Sequence, residues 1–86
     1  MIHFTSSRFW KCYDDLPGDT QALADKQFSL LKKEPFHPSL HVKKVGKYWS
    51  ARVNAEMRAL ALESGNDLVW FWIGAHGEYD RIIRRG

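Results

Sequence analysis

The chain has 86 residues, a formal net charge of +3 and 44% hydrophobic residues, so we expect residues 1–86 to form a single domain. Its one cysteine, Cys12, excludes an internal disulfide, which predicts a reducing compartment and a cytoplasmic protein. The sequence does not open with a basic stretch followed by an apolar run, and no run reaches the roughly 18–20 apolar residues of a membrane span. Neither a signal peptide nor a membrane partner is therefore expected.

The first part of the chain predicts one strand and two helices. Residues 2–4 have the pattern of a short strand, and the hydroxyl side chains that follow can cap a helix at about Arg8–Asp15. A proline and a glycine end that helix. Asp19 or Thr20 can cap a second helix that continues to about Lys33, where cations suit the helix dipole.

The rest of the chain predicts an antiparallel sheet and a short last helix. Its expected strands are Leu40–Val45, Tyr48–Val53, Met57–Glu63 and Leu68–Ile73, and its expected helix is Glu78–Arg84. The last of these strands is apolar without alternation, which is typical of a strand buried on both faces. The expected fold class is therefore α+β: an N-terminal strand, two helices, an antiparallel sheet and a C-terminal helix.

Turn lengths predict a register for the last three strands. A tight turn at Gly65-Asn66 pairs Arg58 with Ile73. A two-residue turn at Ala55-Glu56 pairs Val53 with Arg58. Because paired residues share a face of the sheet, this register predicts one apolar face with Arg58 at its open end. The residues of that face are Trp49, Ala51, Val53, Leu60, Leu62, Val69 and Phe71.

The positive charge is concentrated in the middle of the chain. Residues 1–36 carry five basic and five acidic side chains, residues 37–62 carry five basic and one acidic, and residues 63–86 carry three basic and four acidic. A segment with a net charge of +4 can attract phosphates, although a solvated face is the more ordinary explanation for five charges. Its basic residues are Lys43, Lys44, Lys47, Arg52 and Arg58.

Two segments resemble a known family. They are Tyr48-Trp49-Ser50-Ala51-Arg52-Val53, followed by Glu56-Met57-Arg58-Ala59-Leu60, and the run from Ile73 to Asp80. They resemble the RelE/ParE superfamily of bacterial toxins, most of all the YoeB and YafQ type of ribosome-dependent mRNA endonuclease, or mRNA interferase. The order of predicted elements agrees as well, so the resemblance covers nearly the whole chain. It implies the RelE-like fold and a toxin that has a cognate antitoxin and messenger RNA on the ribosome as partners.

The resemblance also implies site residues. In nuclease members, an arginine matching Arg58 stabilises the phosphate, a histidine matching His76 acts in acid–base chemistry, and a nearby tyrosine, here Tyr79, assists. The RNA 2′-OH is the nucleophile in this chemistry, so no metal and no cofactor are expected. A tyrosine in such a place more often packs its ring between elements, which is the alternative role for Tyr79. The candidate RNA-binding residues are His41, Lys43, Lys44, Lys47 and Arg52.

The general base departs from the family pattern. The YoeB type carries a glutamate before the matching tryptophan, whereas residues 39–41 of this chain contain no carboxylate. The base is therefore expected to be His41, Lys43 or Lys44. ParE-like members act on DNA gyrase, so a gyrase-binding toxin without nuclease activity, or an inactive member, is the alternative.

The predicted register conflicts with the expectation that Arg58 and His76 act in one site. Strict alternation puts His76 on the face opposite Arg58, unless the strand bends or ends at Gly74. Arg52 is likewise expected on the opposite face from Arg58, and Glu56 is expected to pair with one of the two arginines.

Overall fold

The computed structural model describes residues 2–85 of the chain. Within that range no helix is long and apolar enough to cross a membrane. The elements in chain order are strand β1 (His3–Thr5), helices α1 (Ser7–Asp14) and α2 (Gly18–Lys33), a 3-10 turn (Pro38–Leu40), strands β2 (Lys43–Val45), β3 (Tyr48–Arg52), β4 (Met57–Ser64) and β5 (Asp67–Ala75), and helix α3 (His76–Arg85).

The five strands form one sheet in the order β1-β5-β4-β3-β2. The four later strands pair antiparallel, as predicted, but β1 joins the sheet parallel to β5. The sheet is therefore mixed, and the α+β fold class is confirmed. The apolar strand β5 lies between two neighbours, as its composition predicted.

Two local predictions in the first half are wrong. α1 is capped as expected, because the Ser6 hydroxyl accepts a hydrogen bond from the backbone N of Phe9. α2 instead begins after Pro17 without a side-chain cap, and Asp19 lies inside its first turn. Leu40 belongs to the 3-10 turn rather than to β2. The fixed backbone of the proline that opens this turn explains the shorter strand.

Helices cover both faces of the sheet. On one face, residues of α1 and α2 pack onto the three middle strands around Trp70, which is 1% exposed. On the other face, α3 places Tyr79 over Leu60 and Trp72. Both tryptophans of β5 are core residues, as predicted, but they belong to two different cores. The buried residues of the first core are Phe9, Ala24, Leu31, Leu40, Ala51, Val53, Ala59, Ala61, Leu68, Trp70 and Ile73.

A β-bulge in β5 explains why the two tryptophans diverge. Ala61 pairs with Trp70 and Leu60 pairs with Trp72, so Phe71 has no partner in β4. Phe71 and Trp72 both pack on the α3 side. An extra residue of this kind shifts the pairing by one position for the remainder of the strand.

The predicted apolar face is therefore wrong. Arg58 pairs with Gly74 rather than with Ile73, and on its other side it pairs with Arg52 rather than with Val53. A loop of residues 53–56 replaces the predicted two-residue turn. Because a slip of one residue moves a whole strand to the other face, the predicted set divides. Leu60, Leu62, Val69 and Phe71 share the face of Arg58, whereas Trp49, Ala51 and Val53 lie opposite.

Gly74 is required by the packing of Trp72. A Cβ added at Gly74 would lie 2.6 Å from Cζ2 of Trp72, whose indole N–H donates to Glu78 at 3.1 Å.

Overpacking of this kind costs about 1–3 kcal/mol, so we expect Gly74→Ala to lower the unfolding free energy by that amount in urea titrations. The matched control is Gly77→Ala in α3, where nothing lies within 4 Å and stability should stay equal or rise. Equal effects of the two substitutions would contradict this account.

Candidate active site

An open concavity of about 420 Å³, including solvent at its mouth, lies where β2, β3 and β4 meet the start of α3. None of the described residues that line it carries a carboxylate. Six of the eight residues proposed from the sequence are brought together here. The lining residues are His41, Lys43, Ser50, Arg52, Arg58, His76 and Tyr79.

The bulge places His76 in this concavity. Because Arg58 pairs with Gly74, alternation carries His76, two positions further along, to the same face as Arg58. The strand does not end at Gly74, since β5 continues to Ala75 and α3 begins at the next residue. The bulge therefore brings the two side chains to one face without the bend or strand end at Gly74 that the predicted register required. The backbone N–H of His76 donates to the carbonyl of Glu56 at 2.8 Å, which joins the start of α3 to the β3–β4 loop.

Two arginines stand side by side in the concavity. Arg52 and Arg58 are direct cross-strand partners, so the prediction that they lie on opposite faces is wrong. The predicted ion pair with Glu56 is also absent, because within residues 2–85 neither arginine forms a salt bridge. Like charges directly opposite each other destabilise a sheet by fractions of a kcal/mol, roughly 0.2–1. A bound anion such as phosphate would relieve this repulsion.

Backbone carbonyls hold the guanidinium of Arg58 through one of its own nitrogens. Its Nη1 donates to the carbonyl of Asn54 at 2.6 Å and to the carbonyl of Met57 at 3.0 Å. No further hydrogen bond of this guanidinium occurs within the described residues. The remaining N–H groups form the planar fork that suits the oxygens of a phosphate.

Helix α3 orients the imidazole of His76 from two sides. The Nδ1 atom lies 3.4 Å from Oδ2 of Asp80, one turn along the helix, and the ring stacks on Tyr79 at a centroid distance of 5.8 Å. The hydroxyl of Tyr79 donates to the buried hydroxyl of Ser50 at 3.1 Å. Tyr79 thus lines the concavity and also attaches α3 to β3.

His41 has an unusual backbone. It follows the 3-10 turn with φ +46° and ψ +44°, in the left-handed region. A non-glycine residue there costs on the order of 1 kcal/mol, and such strain is concentrated at functional sites. His41 is exposed and, with Lys43, lines the concavity.

Two predicted RNA-binding lysines lie outside the concavity. Lys44 forms a 3.0 Å salt bridge with Glu63, whose carboxylate also accepts a hydrogen bond from the indole of Trp49. These contacts, that of Trp49 first, lower the pKa of Glu63. The ammonium of Lys47 lies over the ring of Tyr48 at 5.4 Å. Of the three candidate bases, only His41 and Lys43 therefore border the site.

Three contributing residues were missed by sequence reasoning. Ser50 lies in the motif that carries the family resemblance, and Asp80 stands four positions after His76, the spacing of neighbours on a helix. Asn54 shapes the loop beside Arg58 and has only a generic turn signal. Within residues 2–85 no group of three or more His, Cys, Asp or Glu side chains is arranged to hold a metal ion.

The fold has relatives among solved structures. No protein-family model matches the sequence. The search of curated proteins likewise found no match. A YoeB/ParE toxin from Agrobacterium tumefaciens superimposes with a TM-score of 0.66 at 20% identity, over 88% of this chain and 99% of that one. YafQ from E. coli gives 0.71 at 13% identity, over 90% and 94%. The chain has a RelE/ParE-like toxin fold.

Other structures with the RelE/ParE-like fold include complexes. The RelB-RelE antitoxin–toxin complex from Methanococcus jannaschii matches with a TM-score of 0.70 at 14% identity, over 91% of this chain and 96% of that one. The toxin–antitoxin complex RelBE2 from Mycobacterium tuberculosis matches with 0.67 at 17% identity, over 87% and 96%. Similarity at these identities shows the fold, so the chemistry rests on this chain's own residues.

The Tyr79–Ser50 hydrogen bond generates a stability prediction. Tyr79→Phe should lower the unfolding free energy by about 1–3 kcal/mol, because it leaves the buried Ser50 hydroxyl without its partner. Ser50→Ala should have a similar effect, and the double variant should lose less than the sum of the two. Urea titrations of all four proteins measure this coupling. Strict additivity would mean that the bond does not stabilise the attachment of α3.

Proposed function

We propose that this chain is the toxin of a toxin–antitoxin pair and cleaves messenger RNA on the ribosome. The observation that carries the proposal is the basic concavity: two adjacent arginines, a lysine and two imidazoles border one open site, and no carboxylate of residues 2–85 lines it. A site of this composition suits a phosphodiester, because its charge attracts the phosphate and its imidazoles can move protons.

Cleavage in this proposal uses the nucleophile that RNA carries. A base takes the proton of the 2′-OH, the 2′-oxygen attacks the adjacent phosphorus, and the bond from phosphorus to the 5′-oxygen breaks. An acid returns a proton to that leaving oxygen, so the strand ends in a cyclic phosphate. Arg58 would hold the charge that develops on the non-bridging oxygens, with Arg52 beside it.

His41 and His76 are the proposed proton-transfer pair. Imidazole is the side chain best suited to give and take protons near neutral pH, and the two rings border the same concavity. Lys43 is the remaining alternative to His41 as base. Tyr79 could act on the substrate only through its hydroxyl, which already bonds Ser50. We therefore assign Tyr79 the role of orienting the imidazole of His76.

An antitoxin is the proposed regulatory partner. The support comes from similar structures, two of which are complexes between a toxin and its antitoxin. An acidic segment would match the net charge of +4 in residues 37–62 and would neutralise the concavity. The cell compartment that these partners imply is the cytoplasm.

The growth phenotype tests the active site. Expression without a partner should arrest growth, and Arg58→Ala should relieve the arrest because it removes the cation aimed at the phosphate. Lys44→Ala is the matched control, since it removes one positive charge outside the concavity and should leave the arrest in place. The measurement is colony formation after induction at equal protein levels. Free accumulation of the wild-type chain without slower growth would refute an active toxin.

The target class needs a separate measurement. Message ends mapped after induction should show new cleavages within translated regions, and purified DNA gyrase should keep supercoiling in the presence of the chain. His41→Ala and His76→Ala should each reduce cleavage about a hundredfold or more, the usual share of acid–base catalysis. Intact message together with blocked supercoiling would instead identify a ParE-like toxin directed at gyrase.

A further inference from the structure

The loop between β3 and β4 is organised by one side chain. Oδ1 of Asn54 accepts hydrogen bonds from the backbone N–H groups of Glu56 at 2.9 Å and Met57 at 2.8 Å. The carbonyls of Asn54 and Met57, at the two ends of this turn, both lie within hydrogen-bond distance of one nitrogen of Arg58. A side-chain acceptor that mimics a backbone turn is the usual role of asparagine in loops.

The same loop also contacts the second functional residue. The carbonyl of Glu56 accepts the backbone N–H of His76 at 2.8 Å, where α3 begins. Asn54 itself does not line the concavity. Its side chain therefore acts on the site only through the loop, and the loop touches both Arg58 and His76.

The loop geometry also explains an absent ion pair. Glu56 is exposed and only two positions from Arg58, and the sequence alone predicts that it pairs with Arg58 or Arg52. In the structure the backbone of Glu56 is bonded to Asn54 on one side and to His76 on the other, and its carboxylate forms no salt bridge within residues 2–85. The fork of Arg58 is thereby kept for a ligand.

We infer that Asn54 is the positioning residue for Arg58: its side-chain turn holds the two carbonyls that fix the guanidinium in the concavity. The importance of this device for catalysis rests on the proposed function. The restricted rotation of the Arg58 guanidinium does not depend on the proposed function, and it can be measured in the free protein.

The first experiment observes the guanidinium directly. In the wild type, the bonds from Nη1 to two carbonyls should slow rotation of the Arg58 guanidinium, which separates its Nη signals in nitrogen-15 NMR spectra. Asn54→Ala should merge these signals, whereas Asn54→Asp, which keeps the acceptor oxygen, should preserve them. Asn66→Ala is the matched control, since it makes the same change in the exposed turn between β4 and β5.

The second experiment measures cleavage and binding separately. Asn54→Ala should slow message cleavage about ten- to a hundredfold, the order expected when a catalytic group is misplaced by about 1 Å. Binding of a 2′-O-methyl RNA, which cannot be cleaved, should weaken less than threefold, because the charge of Arg58 is retained. Asn54→Asp should recover most of the cleavage rate, and Asn66→Ala should cleave like the wild type.

Each outcome decides the inference. Separate Arg58 signals in Asn54→Ala, or equal loss of the signals in the Ala and Asp variants, would overturn it. If Asn54→Ala does not fold, Asn54→Ser, whose shorter side chain makes weaker turn bonds, should give partial merging, and an unchanged spectrum would overturn the inference. If the wild type cleaves no message, the proposed function fails, and the guanidinium signals alone decide the role of Asn54.

Discussion

The single unpaired residue in β5 determines which side chains can meet in this protein. In a strand, the parity of a position decides its face, so one extra residue at Phe71 reverses the facing of everything that follows. Before the bulge, Trp70 is buried against α1 and α2; after it, Trp72 is buried beneath α3. The same reversal brings His76 to the face of Arg58. Core packing on both sides of the sheet and assembly of the site are thus consequences of one local geometry.

The second constraint is electrostatic. Two arginines are direct neighbours across β3 and β4, and in the described part of the chain no carboxylate neutralises either. An arrangement that costs stability persists because the rest of the fold stabilises it: the strands are buried, and the loop at Asn54 holds one guanidinium by its backbone carbonyls. A site without its own counter-ion is suited to an anionic ligand.

Helix α3 connects this electrostatic site to the core. Tyr79 packs against Trp72 and bonds Ser50, while the same helix carries His76 and Asp80 at its start. The helix is only ten residues long, so its position depends on packing rather than on intrinsic helicity. The hydrogen bond to Ser50 therefore contributes to stability and to the placement of the imidazole at once.

Sequence patterns alone determined the fold class, the existence of every described element except the 3-10 turn, and the burial of Trp70 and Trp72, because periodicity and turn residues are local properties. The motif also picked out six residues that the fold brings to one concavity. Tertiary structure decided the facing of Arg52, Arg58 and His76, the parallel pairing of β1, and the removal of Lys44 from the site to an ion pair with Glu63. The physical reason is that successive side chains of a strand alternate between the two faces of the sheet. A bulge, or a loop that is longer by a few residues, leaves the hydrophobic pattern of each strand intact. It nevertheless shifts the pairing by one residue, so that different side chains of neighbouring strands share a face. Only the packing of Trp70 and Trp72 into two separate cores selects the observed register.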